Sequence, residues 1–185
     1  MEKIVGHLVK DYKLGGIGPG GGRIFYYDPK GFTMTDNNQI CHYLEAALED
    51  MPTLLEWAFS GTGPYGFVSD ALGTDIGTGR ENTASIIGAL IWSDTLQTAC
   101  PAIYYCKTYS GGGKHDWFLP SIDELEQLCI KKDYFGNFNT TLGYWSSSQY
   151  NGGVTSAWYY EFLGVSGPLW SLKDNTWLVR PIRAF

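Results

Sequence analysis

The chain has 185 residues, 44% of them hydrophobic, and a formal net charge of −6 from 13 basic and 19 acidic side chains; this fits one domain with a sizeable core and excludes a disordered chain. A pI near 4.9 has the wrong sign for a phosphate backbone, which excludes nucleic acid as a partner class. No stretch approaches the roughly 18 uninterrupted apolar residues of a membrane span, and the opening ten residues are too charged for the apolar part of a secretion signal, so neither insertion nor a conventional export signal is expected.

The first element in chain order is a glycine-rich turn, Gly15 to Gly22, running into the β-prone Arg23-Ile24-Phe25-Tyr26-Tyr27-Asp28, which Asp28-Pro29 is expected to end. A phosphate-cradling loop needs its glycines after a strand and before a helix. Here the order is reversed, so a tight turn into a strand is the reading. Residues 39–49 fit a strand or a short helix, because periodicity does not separate the two over so few positions. Residues 60–80 carry the Gly, Ser and Thr of a long connection. Glu81 to Trp92 then reads as an amphipathic helix with Ile86, Ile87, Leu90 and Ile91 on one side, and Thr95 to Tyr109 as a second, bent or restarted at Pro101. Ser121 and Glu124 have the spacing of a capping box and predict a helix start there, with Ile122, Leu125, Leu128 and Cys129 facing inward. From Gly143 the texture changes to short strands between Gly, Ser and Asn: Tyr144–Ser148, Ala157–Phe162, Leu169–Leu172 and Trp177–Ile182.

Catalytic and metal motifs are scarce. Cys41, Cys100, Cys106 and Cys129 show no C-x-x-C and no nearby His pair, so no structural zinc site is expected. Cys100 and Cys106 are close enough to pair, although cysteines on helical apolar faces are more often small buried hydrophobes. His7, His42 and His115 are scattered and no G-x-S-x-G is present, which leaves no nucleophile with its base. His115 beside Asp116 reads as turn and surface chemistry. Asp123-Glu124 sits in a first helical turn, where the helix dipole accounts for it.

Composition points elsewhere. Only 17% of residues are charged and 16% are aromatic, with 24 Gly, 13 Tyr and 7 Trp. This is the vocabulary of binding surfaces, where Tyr and Trp give contact area at low entropy cost and Ser, Gly and Asn adapt their hydrogen bonds. It equally suits a Gly-turn-rich β protein with an aromatic core.

A set of phrases is more specific: Gly18-Pro19-Gly20-Gly21-Gly22-Arg23-Ile24-Phe25-Tyr26, Tyr43-Leu44-Glu45-Ala46-Ala47, Ile76-Gly77-Thr78-Gly79 with Asn82-Thr83, Tyr109-Ser110-Gly111-Gly112-Gly113 leading to Asp116-Trp117-Phe118-Leu119-Pro120-Ser121, Tyr144-Trp145-Ser146-Ser147-Ser148, and the closing Val179 to Phe185. In this order, over about residues 12–185, they resemble the family named for the C-terminal domain of a Legionella collagen-like adhesin, the former DUF1566 domains. The resemblance implies an α+β, C-type-lectin-like fold of the formylglycine-generating-enzyme branch: one domain over residues 1–185, two to three helices on small twisted antiparallel sheets, and a ligand face at residues 144–185. Members include adhesin tips and the variable proteins of diversity-generating retroelements, in which reverse transcription mutates adenines of a C-terminal cassette.

The implied function is a non-enzymatic receptor- or adhesin-type protein that binds a protein or glycan on a target cell or particle, without cofactor or metal. Randomising the adenines of an Asn codon that ends in a pyrimidine cannot yield Trp or Lys, which fits Trp158, Trp170, Lys173 and Trp177 as fixed. The candidate variable, ligand-binding residues are then Tyr150, Asn151, Gly152, Thr155, Tyr159, Leu163, Val165, Leu169, Leu172 and Asp174. Two alternatives remain: a structural tip of a fibre, phage tail or adhesin, and a formylglycine-generating-enzyme-like catalyst. The second is disfavoured because the family's C-terminal catalytic cysteines have no counterpart after Cys129. The calcium-binding Glu-Pro-Asn and Gln-Pro-Asp phrases of sugar-binding C-type lectins are also absent.

Three structural expectations follow. Trp117, Trp145 and Trp158 should be buried. Arg180 and Arg183, in an extended strand, should face opposite sides, with at least one bonded to a carboxylate or carbonyls. The candidate variable residues should share one exposed face, with Tyr159 opposite in sense to Trp158.

Overall fold

The computed structural model describes residues 12–91, 94–163 and 167–185. The glycine turn leads into β1 (Arg23–Thr33), which pairs antiparallel with β2 (Ile40–Ala46); β2 pairs with β8 (Ile182–Ala184), in the order β1-β2-β8. Residues 39–49 are thus resolved as a strand. β1 does not end at Asp28-Pro29. It continues to Thr33 through a register shift between Tyr27 and Phe32, because it is the outer strand of its sheet, where a proline without an N–H is tolerated beside a bulge.

Four helices follow among the described residues, more than the two to three expected: α1 (Gly79–Gly88), α2 (Leu96–Ala99), α3 (Pro101–Thr108) and α4 (Ile122–Ile130). The extra one arises because Pro101 divides the second predicted helix. The residue before it, Cys100, is driven out of the helical region to φ −141°, ψ 72°. α1 starts two residues before Glu81 and stops at Gly88; Trp92, its expected end, lies outside the described residues. α4 opens on the predicted capping box. The Ser121 hydroxyl accepts from the Glu124 N–H at 3.3 Å, and the Glu124 carboxylate accepts from the Ser121 N–H at 2.7 Å. No helix among the described residues is long and apolar enough to cross a membrane.

The C-terminal strands β4 (Gly143–Gln149), β5 (Ser156–Glu161) and β6 (Leu169–Leu172) form a second antiparallel sheet in that order. β7 (Thr176–Trp177) makes a two-stranded ribbon with β3 (Leu55–Glu56). The expected strand Trp177–Ile182 is therefore split between β7 and β8, because Arg180 and Pro181 between them turn to the interior instead of continuing a ladder. The result is a mixed α+β fold with small antiparallel sheets.

The sheet β4-β5-β6 separates two hydrophobic cores. On one side, Tyr144, Tyr160 and Phe162 pack with Ile122, Leu125 and Leu128 of α4. On the other, Trp145 and Ala157 pack with Trp57, Ile86 of α1, and Ala102, Ile103 and Cys106 of α3. Strict alternation along β4 and β5 feeds both cores, and every residue of β4 is buried. Trp117 and Trp145 are fully buried, as expected. Trp158 is only half-buried, packed at the edge of the first core, since its cross-strand partner Trp170 lies on the outer strand β6.

All four cysteines are buried free thiols, Cys100 and Cys106 included. Burial pushes the Cys100 thiol up to about 12, so it is not a nucleophile at neutral pH.

Glu124 gives this scaffold a pH signature on the acid side of neutrality. Its fully buried carboxylate is held by N–H groups of Ser121 and Gly77, yet burial raises its pKa from 4.5 to about 7. Between these values the folded state keeps a proton that the unfolded state has lost, so stability falls as pH rises from about 4.5 to 7. Urea unfolding should show this decline in the wild type. Glu124→Gln, which imitates the protonated form, should flatten it; an equal slope in both proteins would exclude Glu124 as its source.

Candidate ligand-binding surface

The C-terminal sheet is fixed from below by hydroxyls. Ser146 donates to the Trp158 carbonyl at 2.8 Å, Ser147 to the Pro120 carbonyl at 3.1 Å, and Ser148 to the Gly73 carbonyl at 2.6 Å. The Asn82 amide of α1 donates to the same Gly73 carbonyl at 2.7 Å and to the Ser147 hydroxyl at 3.3 Å. The indole of Trp57 reaches the Ser146 carbonyl and that of Trp145 the Leu55 carbonyl, each at 2.8 Å. Sequence reading placed these serines in a framework phrase without assigning their partners, which lie up to 89 residues away.

A buried ammonium fixes the far end. Lys173, in the turn after β6, donates to the carbonyls of Pro64 and Gly66 at 2.9 and 2.6 Å and to Gln149 Oε1 at 2.8 Å, 4.4 Å from the centre of the Trp57 ring. Burial lowers its pKa to about 7. Lys173 is thus a structural clamp on the 63–66 turn.

The closing segment is held by two arginines, both bonded. Arg180 bonds the Asp50 carboxylate and donates to the Ala47 and Leu48 carbonyls at 2.9 and 2.8 Å, with the Phe138 ring 4.1 Å from its guanidinium carbon. Arg183 bonds both Asp116 and the buried Glu45. Asp116 keeps a partly exposed side chain beside the exposed His115, as expected of a surface turn, and there forms one half of the Arg183 ion pair.

On this frame the candidate residues divide. Tyr150 stacks on Trp170 with centroids 5.3 Å apart and planes at 4°, and meets the edge of Trp158 at 4.8 Å. The register Trp158↔Trp170 and Ser156↔Leu172 puts Leu172 on this same face. Asn151 and Gly152 form the exposed turn between β4 and β5, and Thr155 is half-exposed beside it. Leu163 and Leu172 are exposed at 64% and 44%, and Trp170 at 55%. Tyr159 and Leu169, directly paired, lie on the opposite face. There Tyr159 stacks on Trp177 at 4.7 Å and packs against the second core. Asp174 accepts from the Tyr65 hydroxyl at 3.1 Å, and Val165 lies outside the described residues. Tyr159 is thus opposite in sense to Trp158, but the set does not share one face. The physical reason is that the sheet is covered by a core on each side, so only its outer strand and turns reach solvent.

Gly152 is also more constrained than a free position. A Cβ there would lie 2.5 Å from both Cζ and the hydroxyl oxygen of Tyr150, so any side chain displaces the Tyr150 ring. Two clefts of about 320 and 340 Å³ lie elsewhere, beside α1 and between β3 and α3, and no candidate residue lines either.

The model of the Lcl C-terminal domain family matches residues 46–183. The chain belongs to this family. Comparison with curated proteins gives no match. Among solved structures, the chain is similar to a fimbrial protein from Bacteroides ovatus, with a TM-score of 0.56 and 15% identity; the alignment covers 89% of this chain and 44% of that one. The chain therefore spans less than half the length of that protein, and the likeness is one of fold.

Two substitutions separate frame from surface. Trp145→Ala empties a fully buried site and should cost about 3 to 5 kcal/mol, whereas Trp158→Ala, at a half-exposed position, should cost less. Equal losses of melting temperature would contradict this division. Lys173→Met should cost about 1 to 3 kcal/mol at neutral pH by stranding buried carbonyls. It should also remove the rise in stability that the wild type gains between about pH 7 and 10.5, where only the unfolded chain holds the Lys173 proton. A variant that kept that rise would show that another group is responsible.

Proposed function

We propose that the chain is a non-enzymatic, adhesin-type ligand-binding domain that uses its C-terminal third as the binding region, on a C-type-lectin-like scaffold of the formylglycine-generating-enzyme branch. The observation that carries this reading is the contrast within residues 144–185. Buried Ser146–Ser148, Lys173, Arg180 and Arg183 hold the backbone, while Val154, Leu163, Trp170 and Leu172 stand 44–64% exposed on it. Large exposed apolar side chains on a rigid frame are a liability unless a partner covers them. Membership of a family named for an adhesin domain supports the reading.

In the finer form of this proposal the domain is a retroelement variable protein that binds a protein or glycan on a target cell or particle. Its diversified positions narrow to Tyr150, Asn151, Thr155, Leu163 and Leu172, with Val165 retained on sequence grounds. Tyr159, Leu169, Asp174 and Gly152 act as supports, because each is engaged by the frame or by the Tyr150 ring. A second reading, a fibre-tip domain with an invariant surface, is favoured by the division of the original set between two sheet faces and by the fimbrial fold neighbour.

Beads coated with the domain should adhere to a target cell panel. Joint replacement of Asn151, Thr155, Leu163 and Leu172 should alter target choice while changing stability by less than about 0.5 kcal/mol per site. Unchanged adhesion, or unfolding of the variant, would overturn the reading. A near-identical, adenine-rich template repeat beside a reverse-transcriptase gene separates the variable protein from the invariant tip.

A further inference from the structure

The geometry points to a specific ligand class for this surface: the stacked rings of Tyr150 and Trp170 form a shelf that binds uncharged glycans through the C–H faces of their sugar rings. The inference rests on the proposed binding role of the C-terminal region and names what that region takes.

Three observations carry it. The first is shape. Tyr150 and Trp170 lie parallel within 4°, with Trp158 edge-on behind Tyr150, and Trp170 is more than half exposed. A flat indole face already held in place loses little entropy on binding. Its negative quadrupole matches the weakly positive C–H groups of a pyranose ring.

The second is charge. The two ionic groups in the adjoining turn are both turned away from the shelf: the Lys173 ammonium is buried against the Pro64 and Gly66 carbonyls, and the Asp174 carboxylate accepts from Tyr65. The turn that follows Tyr150, Asn151 to Ser156, carries no charged residue, and the Tyr150 hydroxyl and the exposed Asn151 are neutral hydrogen-bonding groups. With Lys173 and Asp174 both engaged elsewhere and a net charge of −6 on the chain, sulfated, sialylated or phosphorylated ligands meet no counter-charge from their turn, whereas sugar hydroxyls find donors and acceptors.

The third is size. Aromatic side chains bury about 150–250 Å² each, and the three here are all partly covered already. They fall well below the roughly 800 Å² per partner of a stable protein interface, but match one or two sugar rings.

Gly152 is the positioning residue of the shelf. Because a Cβ would meet the hydroxyl end of the Tyr150 ring at 2.5 Å, only glycine lets that ring lie flat on Trp170. In the retroelement reading, a fixed Trp170 beside a variable Tyr150 would keep the ligand class while changing which sugar fits.

The test is an array of uncharged and anionic glycans probed with the full chain, with and without EDTA and at low and high salt. At least one uncharged glycan should bind, insensitive to EDTA and salt. Trp170→Ala and Gly152→Ala should each weaken that binding by about tenfold or more with unchanged melting temperature. Gly152→Ala should also lose the near-ultraviolet circular dichroism of the coupled Tyr150 and Trp170 rings. Ile130→Ala, an exposed apolar position on α4, should change nothing. Binding only to anionic glycans, loss with EDTA, no binding at all, or binding that survives both shelf substitutions would overturn the inference. If adhesion to target cells is lost in Trp170→Ala but survives enzymatic deglycosylation of the target, the partner is a protein. The glycan inference then falls while the binding role stands; adhesion indifferent to Trp170→Ala but lost on joint replacement of Asn151, Thr155, Leu163 and Leu172 likewise removes only the shelf, and no adhesion by the wild type removes both.

Discussion

The fold closes on a buried carboxylate. Glu45, fully buried in β2, accepts the Gly20 N–H at 2.8 Å, the Gly22 N–H at 3.0 Å and an Arg183 N–H at 3.0 Å. A carboxylate removed from water is tolerated only when its lone pairs are met, and here the donors come from opposite ends of the chain. The opening loop can supply them because Gly18 and Gly20 have no side chains, and a Cβ at either would collide with the carboxylate. Arg183 in turn fixes β8 between β2 and the isolated pairing of Phe118 with Ile182. Three residues earlier, Arg180 repeats the device on Asp50. With so few charges in the chain, these ion pairs determine where the closing segment lies, and the segment determines where β4 lies, since the Leu178 carbonyl accepts the Trp145 N–H at 2.9 Å.

From β4 outward the restraints become neutral and the exposure rises. β4 is buried on both faces, β5 is half-buried, and β6 is an outer strand with alternate residues in solvent. Serine hydroxyls and one clamped ammonium hold this gradient in place without placing charge on its surface. The outer strand can therefore carry Trp170 and Leu172 without its backbone depending on them. This is the physical condition for a surface whose side chains are read by a partner, whether or not they vary between copies of the gene.

How much of this was legible in the sequence depended on range. The Ser121 capping box was fully readable, because both of its bonds join residues three apart. The break at Pro101 was readable for the same reason. Residues 39–49 were not resolved by periodicity, since β2 is buried by contacts on both sides and shows no clean alternation. The burial of Glu45 and Lys173 was hidden, because their partners lie 23 to 138 residues away and isolated charged residues resemble surface; for Arg180 and Arg183 the strand pattern predicted that at least one would be bonded, but not to which partners. The Ser146–Ser148 run was readable as part of a strand, but its burial was not, because the carbonyls its hydroxyls satisfy belong to distant segments.

The candidate site failed as a single set for a reason of dimension. Alternation along a strand says that Tyr159 and Trp158 point in opposite directions, but nothing local says that each direction ends in a core. Only the third dimension, with α4 on one side and α1 and α3 on the other, reveals that a middle strand has no free face. Exposure then belongs to the edge and the turns. An exposed tryptophan on a sheet edge would ordinarily invite pairing with another chain. Here β6 is four residues long and preceded by Pro168, features that blunt edge-to-edge association. Trp170 remains more than half exposed on this short edge, and stacking is the chemistry that the proposed ligand would use there.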